Sequence, residues 1–238
     1  MTRTTLEEFI APISKQLGRT AVPDAPLPVA EDVKPASRIT DGLSQSQLVD
    51  LFVEQAEAIR VFVARTDEAG VAEAVRNIIA DPPETDSALV QDGPAVYEDS
   101  EALESMGVPA ALGPNAVKWD AALGHDALMR ACTKARFGVT VATGGIAETG
   151  TIVQPCSPQC GRGISLLPLC HIAIVYAKDI LPTMLDSLKK LDAEGGAAGE
   201  NLPSSVNFIS GMSATADIEL VRVEGVHGPM FVYYIIVE

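Results

Sequence analysis

The sequence predicts an α/β fold built on a largely parallel sheet. Two observations predict it. From residue 44 onward, apolar runs of strand length alternate with amphipathic runs of helix length. Gly, Pro and Asp mark many of the boundaries between them. The chain has 238 residues, 47% of them hydrophobic, enough for one sizeable core with an appended arm. Aromatics supply only 5%, so Val, Ile, Leu and Ala must carry that core.

Each element follows from local pattern. Residues 5–17 form a short helix candidate, and Pro23, Pro26, Pro28 and Pro35 make an extended stretch after it. Residues 1–43 are therefore set apart as an N-terminal helix and Pro-rich arm, and 44–238 as the α/β domain. Leu48, Leu51, Phe52, Ala56, Ile59 and Phe62 recur at helical spacing and predict a helix of about five turns. Val71, Val75, Ile78 and Ile79 repeat the pattern over 68–80, which stops before Asp81-Pro82-Pro83. Residues 88–91 and 95–97 read as strands, 99–106 as a helix ending at Gly107, and 123–135 as a helix. Residues 137–142, 151–154 and 171–176 read as strands. Residues 178–192 predict a helix with Leu181, Met184, Leu185 and Leu188 on one face, and 194–200 a Gly-rich loop. Residues 206–210 and 230–237 are expected to close the sheet, and 213–223 to run as loop and then strand.

Charge narrows the function. The net charge is −15; residues 1–130 hold 22 acidic and 10 basic side chains, residues 131–238 hold 10 and 7. Such acidity opposes binding to nucleic acid or to an anionic membrane, and it leaves the second half better suited to a small anionic ligand. The start is polar and acidic, unlike a secretory signal, and no apolar run approaches the ~18 residues of a membrane span. A cytoplasmic protein is expected, with Cys132, Cys156, Cys160 and Cys170 as free thiols. Cys156, Cys160 and Cys170 match no iron–sulfur or zinc spacing, and no Gly-x-Gly-x-x-Gly opens a βα turn. No intrinsic cofactor and no metal are therefore expected.

The densest chemistry lies in Gly144-Gly145-Ile146-Ala147-Glu148-Thr149-Gly150-Thr151, between two strand-like runs. Glycines let a ligand approach the main chain, turn N–H groups can cradle an anion, and threonines add hydroxyls. Glu148 could act as base, nucleophile or orienting acceptor, or could simply face water from a β-turn. Arg162 lies between Gly161 and Gly163, which suits recognition of a carboxylate or phosphate and equally suits an exposed turn. Ser213, Thr215 and Asp217 stand in a polar stretch, with Glu219 two residues beyond Asp217. On a strand the two carboxylates would share a side; in a loop Asp217 would orient the turn at 213–215. His227, between glycines and before Pro229, can present an imidazole for proton transfer or lock its own turn. His171 is expected at a strand start and His125 at a helix N-terminus.

Four ordered motifs together resemble the LUD-domain family, and within it the C-type subunits of bacterial lactate utilisation. They are Ala147-Glu148-Thr149-Gly150-Thr151; Arg162 with Leu167-Pro168-Leu169-Cys170-His171; Gly211-Met212-Ser213-Ala214-Thr215-Ala216-Asp217-Ile218-Glu219; and Gly225-Val226-His227-Gly228-Pro229. The resemblance covers roughly residues 45–238. The family usually has an arginine where this chain has Ala214. The resemblance implies a Rossmann-like three-layer sandwich of the CoA-transferase and sugar-phosphate-isomerase type. It also implies a role beside iron–sulfur partner proteins in oxidising L-lactate to pyruvate. The candidate catalytic residues are Glu148 and His227. Ligand contacts would come from Gly144, Gly145, Thr149, Gly150, Thr151, Arg162, Ser213, Thr215 and Asp217. The alternative is a stand-alone enzyme or ligand-binding protein acting on a small carboxylate, a CoA thioester or a sugar phosphate; a homo-oligomer is compatible with either reading.

Overall fold

A computed structural model describes residues 6–18, 37–81, 92–195, 202–216, 222–225 and 227–238. The four prolines of the arm, the strand expected at 88–91, most of the loop at 194–200, and Asp217 and Glu219 lie outside the described residues. The chain divides into two compact units, residues 1–38 and 39–238. The first contains α1 (Leu6–Gln16), which carries Pro12 in its interior.

The second unit opens with α2 (Gln45–Ala58). Ser44 starts it through a capping box: its side chain accepts from the Gln47 N–H, and the Gln47 side chain accepts from the Ser44 N–H at 2.9 Å. The helix ends four residues before Phe62, which the apolar spacing had placed on it. Arg60 adopts φ 63°, its N–H donates to Glu57 O, and the Val61 N–H donates to Ala56 O. This paired closure terminates the helix even though an arginine, not a glycine, fills the left-handed position. Phe62 instead begins β1 (Phe62–Thr66), where its ring stacks on Tyr233 at 4.9 Å.

The chain continues through α3 (Val71–Ala80), β2 (Val96–Tyr97), α4 (Glu101–Ser105), α5 (Val108–Leu112), β3 (Val117–Lys118), α6 (His125–Lys134) and β4 (Phe137–Val141). Then come β5 (Gly144–Ile146), β6 (Thr151–Pro155), α7 (Gly163–Leu166), β7 (Cys170–Tyr176), β8 (Ile180–Leu181) and α8 (Met184–Gly195). The last strands are β9 (Val206–Ile209), β10 (Ala214–Ala216), β11 (Arg222–Glu224) and β12 (Phe231–Val237).

Six strands form an all-parallel sheet in the order β1-β12-β7-β4-β2-β3. Strand alternation divides its side chains between two apolar layers. Ile172 and Ile174 of β7 and Ile235 and Val237 of β12 join Val71, Val75, Leu103 and Val108 on one face. Ala173, Val175, Tyr234 and Ile236 face Phe52 and Ala56 of α2 on the other, where Phe52 and Tyr234 stack at 5.6 Å. A third cluster joins Val96, Trp119, Leu128, Cys132, Cys160 and Ile164. The expected α/β sandwich with a parallel sheet is thus the fold.

Three further details differ from the sequence reading. Residues 151–154 and 206–210 do not join the main sheet. They belong to a four-stranded sheet, β8-β5-β6-β9, that also takes in the glycine pair at 144–145. β12 lies inside the main sheet, between β1 and β7, and does not close its edge. The helix expected from residue 178 begins only at Met184, because 180–181 pair with β5 and Pro182 follows. Among the described residues, no helix is long and apolar enough to cross a membrane.

Candidate functional site

The strand order singles out one place in the sheet. From β2 the chain moves outward to β3, then returns past β2 to β4 and continues to β7 and β12. The carboxyl ends of β2 and β4 therefore flank a topological switch point, where parallel sheets place ligands. Residues 156–162 lie over these ends. The Asp99 N–H donates to Gln159 O at 3.0 Å, and Trp119 Nε1–H donates to Pro158 O at 3.1 Å. Gly161 lies against the Trp119 ring so closely that a Cβ there would stand 2.1 Å from Cζ2.

Three polar side chains are buried at this point. Glu98, immediately after β2, is 6% exposed. Burial is the main influence on its carboxyl and raises its pKa above the usual range; bonds from the Cys160 thiol, the Val141 N–H and the Ser100 hydroxyl oppose that rise. Gln154 is 3% exposed, and its Nε2 donates to Val141 O at 3.4 Å and to Cys160 Sγ at 3.5 Å. Its Oε1 is buried without a partner. Burial pushes the Cys160 thiol far up, and the neighbouring Glu98 adds to the effect, so the sulfur keeps its proton.

The other buried thiols behave alike. Burial raises Cys132 to about 11 and Cys170 to about 12, with Arg136 opposing the latter. Cys156 alone is half-buried, accepting from Ser205 Oγ at 3.1 Å. In native protein at pH 8, dithiobis(nitrobenzoate) should therefore release one equivalent quickly, from Cys156, and three more only on unfolding. Two or more fast equivalents would contradict the burial of the other three.

The 144–151 segment is built differently from a free ligand loop. A Cβ at Gly144 would stand 2.8 Å from Asp179 O, one at Gly145 2.8 Å from Phe52 Cε2, and one at Gly150 2.4 Å from Ala56 N. Protein atoms, from α2 and the 179–180 segment, occupy the space these glycines leave. Glu148 is half-buried, and its Oε1 accepts from the Met184 N–H at 2.9 Å, so a carboxylate caps the first turn of α8. Thr149 Oγ1, Thr151 Oγ1 and Ser210 Oγ form a chain of hydroxyls, 2.7 Å at each step; Thr151 is buried and the outer two are exposed.

Three residues beyond Ser210, the Ser213 N–H donates to Pro229 O at 2.9 Å and Ser213 O accepts from the Gly225 N–H at 2.8 Å. A Cβ at Gly228 would stand 3.1 Å from Ser213 Cβ. The third and fourth motifs thus fold against each other. Thr215 is exposed and pairs with Val223 across the β10–β11 hairpin; His227 is also exposed. Arg162 lines a separate cavity of 340 Å³ with Trp119, His125, Met129, Leu166 and Leu167. No residue of 144–151 lines that cavity. His171 lies inside the sheet, fully buried. Its Nε2 is 2.9 Å from Thr140 Oγ1, its Nδ1 has no partner, and burial lowers its pKa to about 4.

Glu98, Gln154 and Cys160 were not among the residues the motifs marked. Their signal in the sequence is faint: a carboxylate directly after the apolar run 95–97, and a glutamine at the end of the apolar run 151–153.

The LUD domain family matches residues 49–237. The chain belongs to the LUD-domain family. It is 35% identical to YkgG of Escherichia coli K12, over 97% of each chain. It is 33% identical to "Lactate utilization protein C 1" of Bacillus mycoides, over 98% of this chain and 96% of that one. It is 30% identical to "Lactate utilization protein C" of Bacillus subtilis 168, over 100% and 99%. The crystal structure of a DUF162 family protein from Deinococcus radiodurans shares the fold, with a TM-score of 0.55 and 20% identity over 82% of this chain and 99% of that one. Among the described residues, no group of three or more His, Cys, Asp or Glu side chains could hold a metal ion.

Proposed function

We propose that this LUD-domain protein is a lactate-utilisation C-type subunit that acts with iron–sulfur partner proteins in the oxidation of L-lactate to pyruvate. The observation that carries this reading is end-to-end similarity to several proteins named lactate utilization protein C. Electron transfer would fall to the partners, and substrate handling to this chain. The test is growth on L-lactate as sole carbon source: deletion of the gene should abolish it and the wild-type copy should restore it. Undiminished growth of the deletion strain would remove the reading.

The same strain tests Glu148. Glutamine at 148 keeps an oxygen that accepts from the Met184 N–H but removes the charge and the basicity. If Glu148 has the chemical role its motif implies, Glu148→Gln should fold as wild type and fail to restore growth. Full complementation would reduce Glu148 to the helix cap already described.

A second reading, a stand-alone enzyme or binding protein for a small acid, is favoured by one observation. A buried carboxyl and a buried acceptor without a partner stand at the switch point. Turnover of L-lactate by the purified chain alone, without partners, would select it.

A further inference from the structure

The cavity that Arg162 lines lies between three segments: Trp119 just after β3, His125 and Met129 on α6, and residues 161–167 around α7. Its volume of 340 Å³ falls in the range of small-molecule sites, and an apolar cavity of about 150 Å³ already holds benzene. Close packing fixes its wall. Trp119 Nε1–H donates to Pro158 O at 3.1 Å, which holds the indole in place. The glycines on either side of Arg162 are required by the same wall. A Cβ at Gly161 would run into the indole, and one at Gly163 would stand 2.9 Å from Met129 Cε. Without those side chains the main chain of 161–163 lies directly on Trp119 and Met129 and sets Arg162 at the rim of the cavity.

Two kinds of group line it. Trp119, Met129, Leu166 and Leu167 are apolar, and the two leucines remain 36% and 38% exposed. Apolar wall left in water gains from being covered. Arg162 and His125 supply the polar groups, and among the described lining residues none is acidic. Asp120 and Asp126, next in sequence to Trp119 and His125, do not line it, and Asp120 caps the Ala122 N–H at 2.9 Å. Among the described residues no carboxylate pairs with the Arg162 guanidinium. In a chain of net charge −15, that guanidinium is a place for an anion. Its fork matches a carboxylate through two parallel hydrogen bonds, and His125 adds a ring nitrogen in the same cavity. One guanidinium balances one negative charge, whereas a phosphate monoester brings up to two.

We propose that this cavity binds an organic monocarboxylate with an apolar alkyl or aryl body of about five to nine carbon atoms. The carboxylate meets Arg162 and His125, and the body lies against Trp119, Met129, Leu166 and Leu167. The assignment does not rest on the lactate-utilisation reading. An acid of three carbons would leave most of the volume empty, so either reading can fail alone.

Trp119 is the one tryptophan of the sequence, so tryptophan emission reports on this cavity. Titration of the purified full chain with acetate, butanoate and hexanoate, followed by that emission and by calorimetry, tests the assignment. Hexanoate should bind saturably and change the emission. Affinity should rise about threefold for each methylene added from acetate to hexanoate. Hexanol, the same body without the charge, and hexyl phosphate should each bind at least about tenfold more weakly than hexanoate. Arg162→Gln should weaken hexanoate at least about tenfold and leave hexanol unchanged. Leu166→Asn, at an exposed position of the wall, should flatten the rise with chain length. Should either variant fail to fold, the comparison of hexanoate with acetate and hexanol on wild-type protein still decides. The proposal is overturned by any of four results: no saturable binding of hexanoate, equal affinities for acetate and hexanoate, hexanol or hexyl phosphate bound as tightly as hexanoate, or wild-type affinity for hexanoate in Arg162→Gln.

Discussion

Acidification from pH 6.5 to 4 should destabilise this protein by roughly 3 kcal/mol through His171 alone, at 1.36 kcal/mol for each pKa unit. The imidazole is fully buried among the strands of the parallel sheet, and burial lowers its pKa from 6.5 to about 4. In the unfolded chain the ring takes up a proton first, near its ordinary value. Between the two values the unfolded state therefore binds more protons than the folded one. The contribution of neutral His171 is complete above about pH 6.5 and is lost as pH falls toward 4. Urea unfolding midpoints across this window should fall more steeply for wild type than for His171→Gln, which keeps a partner for Thr140 Oγ1 but does not titrate. Parallel curves for the two proteins would show that His171 is not buried neutral. The same burial argues against a role for His171 in proton transfer at neutral pH.

Gly150→Ala should destabilise the fold by about 2–5 kcal/mol, the sum of overpacking and left-handed strain. Gly150 has φ 60°, a conformation L side chains adopt only under strain. A Cβ there would meet Ala56 N at 2.4 Å and Gln55 C at 2.7 Å, both backbone atoms of α2 that cannot turn aside. In a chain of this size such a change lowers Tm by about 4–20 °C. Thermal unfolding followed by circular dichroism measures it. A variant with wild-type Tm that no longer supports growth on lactate would instead return Gly150 to a role in ligand contact.

The near-continuous apolar runs of β7 and β12 placed their residues in the core, because both faces of a parallel sheet are covered. Four motifs in order revealed the family. Helix termination at Ile59 was hidden, because the left-handed residue is Arg60 where glycine is the usual signal. The assignment of 151–154 and 206–209 to a second sheet was hidden as well. An antiparallel strand buried by neighbours has the same apolar run as a parallel one. The glycine-rich segment looked like a cradle for a ligand, yet its absent side chains make room for Phe52, Ala56 and Asp179. Glu98, Gln154 and Cys160 are 56 and 6 residues apart in sequence. Only the crossover that sets β4 beside β2 brings them together.

The most direct test of the lactate-utilisation reading uses purified components. The chain and the iron–sulfur proteins proposed as its partners are mixed with L-lactate and an electron-accepting dye, and pyruvate formed is compared with dye reduced. The reading predicts stoichiometric oxidation by the complete mixture, at least a tenfold loss of rate when this chain is omitted, and no turnover by this chain alone. Full-rate oxidation by the partners without it would contradict the account.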